Sequence, residues 1–221
     1  MPNQLRSGAP DPVGPMLAAL RTGTRDHHLA LERQLDLPGR IRSRADLVCV
    51  LSALLASWQP LERQLAAADW ATLGIDAQLG AASDLLRADL EALPATEGGD
   101  PEGPFAGLGR QASGSPRFDT AAAAVGGRYV LLGSALGGRV IAPVVEKRLD
   151  LPAGTATRFF RRTGMEPGRD WRTFRSAVAG RDWSPEGLEH AASAARETFA
   201  FVGRTAGPIL AERPPARRRV A

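Results

Sequence analysis

The chain has one cysteine, Cys49, among its 221 residues. A lone thiol excludes an internal disulfide and any cysteine-built metal site, and it suits a reducing compartment, so a cytoplasmic location is expected. Cys49 sits in the apolar run "DLVCVLSALL" and reads as a small core hydrophobe. Histidine is also scarce, three in all, so a conventional zinc site would need carboxylates. Aromatics make up only 5% of residues, which leaves the core to Leu, Ala and Val. Lysine is nearly absent: Lys147 is the single one. The net charge of +4 is therefore carried by arginines, and these are interspersed with acids along most of the chain. That pattern argues against a nucleic-acid surface; the one basic cluster is the tail "ERPPARRRVA". No apolar run approaches the roughly 20 residues of a membrane span, so no membrane contact is expected. The N-terminal "MPNQLRSGAPDPVGP" lacks the apolar stretch of a secretory signal. P-loop, G-x-S-x-G, H-E-x-x-H and strand-borne G-x-G-x-x-G motifs are all missing, which removes the common local signatures of nucleotide, hydrolase and zinc-protease chemistry.

What is present reads as helix. An apolar fraction of 43% with 24% charged residues suits one soluble domain. That domain is expected over residues 15–210, with 1–14 and 211–221 disordered. Leu17, Leu20, Thr24, His28, Leu31 and Leu35 recur at spacings of three and four, predicting a helix from Val13 to about Leu35, stopped by Pro38 and Gly39. A second runs from about Ala45 to Ala68, with a kink or restart expected at Pro60. A third ends near Leu93, and the Gly/Pro-rich stretch from Pro94 to Pro116 is a long connection. Helix resumes near Asp119 and passes through "GGRYVLLGSALGGRVIAPVVEKRL". Shorter pieces follow at "TATRFFRRTG" and "RDWRTFRSAVAG". A last long helix begins at Ser184, a good N-cap with Pro185 behind it. No alternating strand pattern occurs, so the class is all-α, with about eight helices.

Two features carry chemistry. His28 lies on the apolar stripe of the first helix, whereas His27 is rotated about 100° away from it. Glu32 follows His28 by one turn and Arg21 precedes it by two, the latter about 10 Å along the axis. A histidine in an apolar setting, oriented by a carboxylate, is how an iron ligand is held; a core histidine satisfied by Glu32 has the same spacing. The second feature is "GGRYVLLGSALGGRVI", with Gly126, Gly127, Gly133, Gly137 and Gly138 inside a helical pattern. Each internal glycine costs roughly 1 kcal/mol relative to alanine. Close packing of another helix and close approach of a flat ligand would both explain them, and Gly137-Gly138 is a place where the helix could break.

Taken together, "LRTGTRDHHLALE" and "YVLLGSALGGRVI" resemble the proximal and distal helices of the haem oxygenase family, in particular the bacterial biliverdin-producing forms that accompany bacteriophytochromes. Supporting segments, "PLERQL", "LLRADLEAL", "RFFRRTG", "WRTF" and "ARETFAF", occur in the family's order, and the likeness spans roughly residues 16–204. The resemblance implies a single all-α domain with haem b, itself both cofactor and substrate, between the first helix and the glycine-rich one. It makes His28 the iron ligand, supported by Glu32, because the histidine falls four residues after Thr24 and four before Glu32. It places Gly133, Gly137 and Gly138 on the distal backbone over the haem, with Ser134 a member of a distal water network. Arg21 and Arg175 become partners of the haem propionates, with Arg128 and Arg196 as further candidates. Leu132 stands where bacterial relatives often have glutamate, and Ser134 where animal enzymes carry an aspartate. The arginines of "RRTG" have no readable role.

The implied activity is oxidative opening of haem to biliverdin with release of carbon monoxide and ferrous iron. It consumes dioxygen and takes electrons from an external ferredoxin or flavoprotein reductase. A bacteriophytochrome is one conceivable acceptor of the biliverdin. The alternative is a carrier or sensor on the same fold that binds haem and leaves it intact.

Overall fold

The computed structural model describes residues 14–93 and 114–212. Among them are seven α-helices and no strand: α1 (Pro15–Leu35), α2 (Arg44–Ala66), α3 (Ser83–Glu91), α4 (Ala121–Leu149), α5 (Arg158–Arg161), α6 (Pro167–Ala179) and α7 (Pro185–Ala211), with a 3-10 turn at Ala71–Leu73. The all-α expectation holds. Of the terminal segments expected to be disordered, residues 1–13 and 213–221 lie outside the described residues, as does most of the Pro94–Pro116 connection, whereas Ala211 and Glu212 complete and cap α7.

Local chemistry starts the long helices. Ser43, Thr120 and Ser184 each accept a hydrogen bond from the backbone N–H three residues on, the last closing onto Gly187 as its sequence position predicts. Asp89, buried on α3, accepts from the N–H groups of Arg158 and Phe159 at 2.9 and 2.8 Å and so caps the start of α5. The restart expected at Pro60 does not occur. α2 continues through Pro60 and α4 through Pro143. A proline removes one ladder bond, and the buried residues on both sides of it, Trp58 and Leu61 around Pro60 and Ala142 and Val145 around Pro143, hold the helix in register. Gly137-Gly138 does not break α4 either.

α7 is the central strut, against which α1, α2 and α4 all pack. Its residues Ala191, Ala192, Ala194, Ala195, Gly203 and Ala206 are small and buried, so helix backbones come close. A Cβ on Gly23 of α1 would lie 3.0 Å from the Ala192 Cβ. Further on, Gln34 Nε2 donates to the Gly203 carbonyl at 2.8 Å. Hence α1 runs in the same direction as α7. α4 does so too: Gly126 abuts Ala191 at one end. At the other, Arg148 donates to the carbonyls of Pro38 and Ile41, in the turn whose Arg40 reaches the Leu210 carbonyl of α7. α1 and α4 thus lie side by side along α7 while touching each other little.

One sequence expectation needs correction. α4 is the single helix among the described residues that is long and apolar enough to cross a membrane by length and composition. It escapes a search for continuous apolar runs because its average is raised by alanines and interrupted by glycines. In the fold it packs against α2, α5, α6 and α7, as a core helix does.

Candidate functional site

The gap between α1 and α4 is a cleft with α7 beneath it. The heights of its residues follow from the shared contact level at Ala191 and Ala192. His28 lies five residues beyond Gly23, and Gly133 and Gly137 lie seven and eleven beyond Gly126. At 1.5 Å per residue these are about 7.5, 10.5 and 16.5 Å along parallel helices, so His28 and the two glycines flank the same stretch of α7. Phe199 marks that stretch. Its ring meets the His28 imidazole edge to face, with centroids 5.7 Å apart.

The buried stripe of α1 comprises Met16, Leu17, Leu20 and Thr24, and it ends there. Thr24 gives its hydroxyl proton to the Leu20 carbonyl at 2.7 Å. One turn later His28 is 55% exposed, and so is not a core histidine. Its Nδ1 is 3.5 Å from Glu32 Oε2, which leaves Nε2 outward for a ligand.

The five glycines of α4 separate into two kinds. A Cβ on Gly126 would sit 2.1 Å from the Ala191 carbonyl oxygen, and one on Gly127 would meet the Phe118 ring at 2.4 Å. One on Gly138 would meet the Phe160 carbonyl oxygen at 2.3 Å. These three exist for packing. Around Gly133 and Gly137 a Cβ would find no atom within 4 Å. Leu136, Val140 and Val144 continue this open side and are 53%, 69% and 37% exposed. Side-chain-free backbone and exposed apolar residues on one face of an otherwise buried helix form a surface fitted to a flat apolar ligand.

α6 closes one end of the cleft. Its Trp171 packs on Tyr129 of α4, centroids 5.8 Å apart, and its last residue, Ala179, lies against Gly14 at the start of α1. Half-buried Arg175 sits between those two anchor points. Arg21 is exposed on α1, on the α6 side of His28. Arg196 Nη2 is 2.6 Å from Glu189 Oε1, and its guanidinium borders Gly23. The fold therefore gathers Arg21, Arg175 and Arg196 toward one end of the cleft.

Two candidates are corrected. Gly138 lies against the α5 backbone, so it offers no surface to a ligand. Arg128 is 1% exposed and donates to the carbonyls of Ala77 and Leu79, with its guanidinium over the Trp70 ring at 4.7 Å. Burial pushes its pKa down to about 10, and its work is to hold the 77–79 turn. Leu132 is likewise structural: it is 6% exposed and covers Gly80, where φ is +74°. Cys49 is half-buried rather than buried, with its thiol 3.4 Å from the Ile209 carbonyl oxygen.

Sequence reasoning missed Arg162, which is 3% exposed and donates to Ser134 Oγ at 2.7 Å. The pair Arg161 and Arg162 carries no signal separating them. Arg161 goes outward to Glu146, whose pKa falls to about 2 chiefly through that hydrogen bond, while Arg162 turns inward. The split comes from the end of α5, where Arg162 takes a left-handed conformation, φ +53°.

Comparisons with known proteins agree with this fold. The fold is similar to the NO- and CO-bound heme oxygenase from Neisseria meningitidis, with a TM-score of 0.68 and 19% identity, covering 93% of this chain and 98% of that one. It is also similar to the heme oxygenase from Leptospira interrogans, with a TM-score of 0.64 and 16% identity, covering 87% and 98%. No curated protein matches by sequence. The family model described as Heme oxygenase matches residues 15–206, and the chain belongs to that family.

Proposed function

We propose that the protein binds haem b in the α1–α4 cleft and opens it to biliverdin, releasing carbon monoxide and ferrous iron. The observation that carries this reading is the open space over Gly133 and Gly137, at the height of an exposed histidine on the facing helix. A Cβ at either glycine would project into that space, and the imidazole is a suitable iron ligand, so the residues present fit the group. Bound haem supplies both the iron that activates dioxygen and the ring that is cleaved.

The chain's own residues position and enclose it. His28 holds the iron through Nε2, and Glu32 at Nδ1 fixes the ring's orientation and tautomer. Gly133 and Gly137, where nothing lies within 4 Å of a would-be side chain, would let the α4 backbone approach the ring closely. Ser134 stands at the rim of that face. Arg21 and Arg175, with Arg196 behind them, meet the propionate carboxylates and set the rotation of the ring in the cleft. Electrons come from an external ferredoxin or flavoprotein reductase, and a bacteriophytochrome is the proposed acceptor of biliverdin.

The test is a haemin titration in the visible spectrum, followed by ascorbate in air with catalase present. A stoichiometric Soret band that then decays, as a broad biliverdin absorption grows, is the expected result. A Soret band that persists even with a competent reductase would convert the reading to a haem carrier or sensor. Failure to form the band would overturn it.

A further inference from the structure

Arg162 is buried and has only a longer-range counter-charge, Glu62. Among the described residues no carboxylate lies within ion-pair distance of its guanidinium, which stacks on the Phe159 ring at 4.1 Å. Nη2 donates to Ser134 Oγ at 2.7 Å, and buried Nη1 has no partner. The comparison with Arg128 is instructive, because there two carbonyl acceptors take up the charge. An unpaired buried cation costs several kcal/mol unless something compensates for it. Burial lowers the Arg162 pKa to about 10, so it remains a cation at neutral pH.

Ser134 connects this charge to the cleft. It follows Gly133 directly and is rotated about 100° from it and about 60° from Gly137, which places it on the flank of the open face. Its hydroxyl is 2.6 Å from the Leu131 carbonyl, which accepts its only proton. Ser134 therefore accepts from Arg162 and has no proton left to give to a ligand; what reaches the cleft is the cation behind it.

We propose that Arg162 is a positioning residue of the distal wall, which through Ser134 presents a fixed positive charge to the open face of α4 and favours anionic over neutral ligands there. This rests on the haem reading above. It concerns the field at the site of dioxygen chemistry, where charge of negative sign develops as electrons are delivered.

The experiment compares wild type with Arg162→Met and Arg162→Gln as ferric haem complexes. Each is titrated by visible spectrum with azide, an anion, and with imidazole at a pH where it is neutral. Azide should bind about tenfold more weakly in both variants, about 1.4 kcal/mol, with imidazole affinity unchanged. Arg162→Lys, which keeps the charge, should retain most of the azide affinity. Equal losses for both ligands, no change for either, or loss of azide affinity in Arg162→Lys would overturn the proposal. So would failure of the Met and Gln variants to bind haemin at all, which would make Arg162 structural. Absence of a Soret band in wild type would instead sink the haem reading.

Discussion

Gly126 and Gly138 share α4 with Gly133 and Gly137, yet the two pairs do opposite work. The first pair is pressed against backbone oxygens of α7 and α5, where any side chain would collide. The second pair has nothing within 4 Å of where a side chain would begin. In the closed pair the glycines stabilise the fold by letting helices approach. In the open pair each costs roughly 1 kcal/mol of helix stability with no contact in return. A cost of that kind, borne in the middle of a core helix, is what the proposed haem face would require.

Substitutions should separate the pairs. Gly126→Ala should have the largest effect on folding, because the Ala191 carbonyl cannot move aside; a loss of about 3 kcal/mol, or a fall of roughly 6–12 °C in a thermal melt, is expected, and an unchanged melt would contradict the packing. His28→Ala should remove or alter the haemin complex in the visible spectrum while changing stability by less than about 0.5 kcal/mol, since the ring is half in water. Gly137→Ala should raise stability by up to about 1 kcal/mol in denaturant unfolding and weaken haemin binding. Better folding without weaker binding would show that the open face is not where haem sits.

The smallest effect concerns the closed end of α4. Glu146 bonds Arg161, Thr157 and the Gly154 N–H, and these hold the segment that carries Phe160 against Gly138. Its pKa is lowered from 4.5 to about 2, so the folded state favours the carboxylate. The resulting stabilisation is complete above about pH 4.5 and is lost as pH falls toward about 2. Glu146→Gln should flatten that acid limb in a pH series of melts; an unaltered limb would place the acid sensitivity elsewhere.

Much of this was legible before folding. The 3.6-residue periodicity of α1 places His28, Thr24 and Glu32 on one side of a helix, because that relation is local. Glycine clustering in α4 is equally plain. What periodicity could not tell is which glycines are covered, since Gly137 and Gly138 are neighbours in sequence and differ only in what lies 100° around the helix. Arg128 looked like a propionate partner because it is an arginine near the glycines, yet its side chain leaves on the far side toward Ala77 and Leu79. Arg162 was one of two adjacent arginines in "RRTG" to which the sequence assigned no role.

By itself, then, the sequence determined the helical class and the existence of a glycine-rich helix, because these rest on composition and on interactions within one or two helical turns; His28 as a candidate iron ligand followed from the family resemblance. The tertiary structure alone decided that α1 and α4 run side by side along α7, that two of five glycines remain uncovered, and which buried arginine reaches Ser134. Those outcomes depend on contacts between residues such as Gly126 and Ala191 or Ser134 and Arg162, far apart in the chain, where burial rather than residue type sets the role.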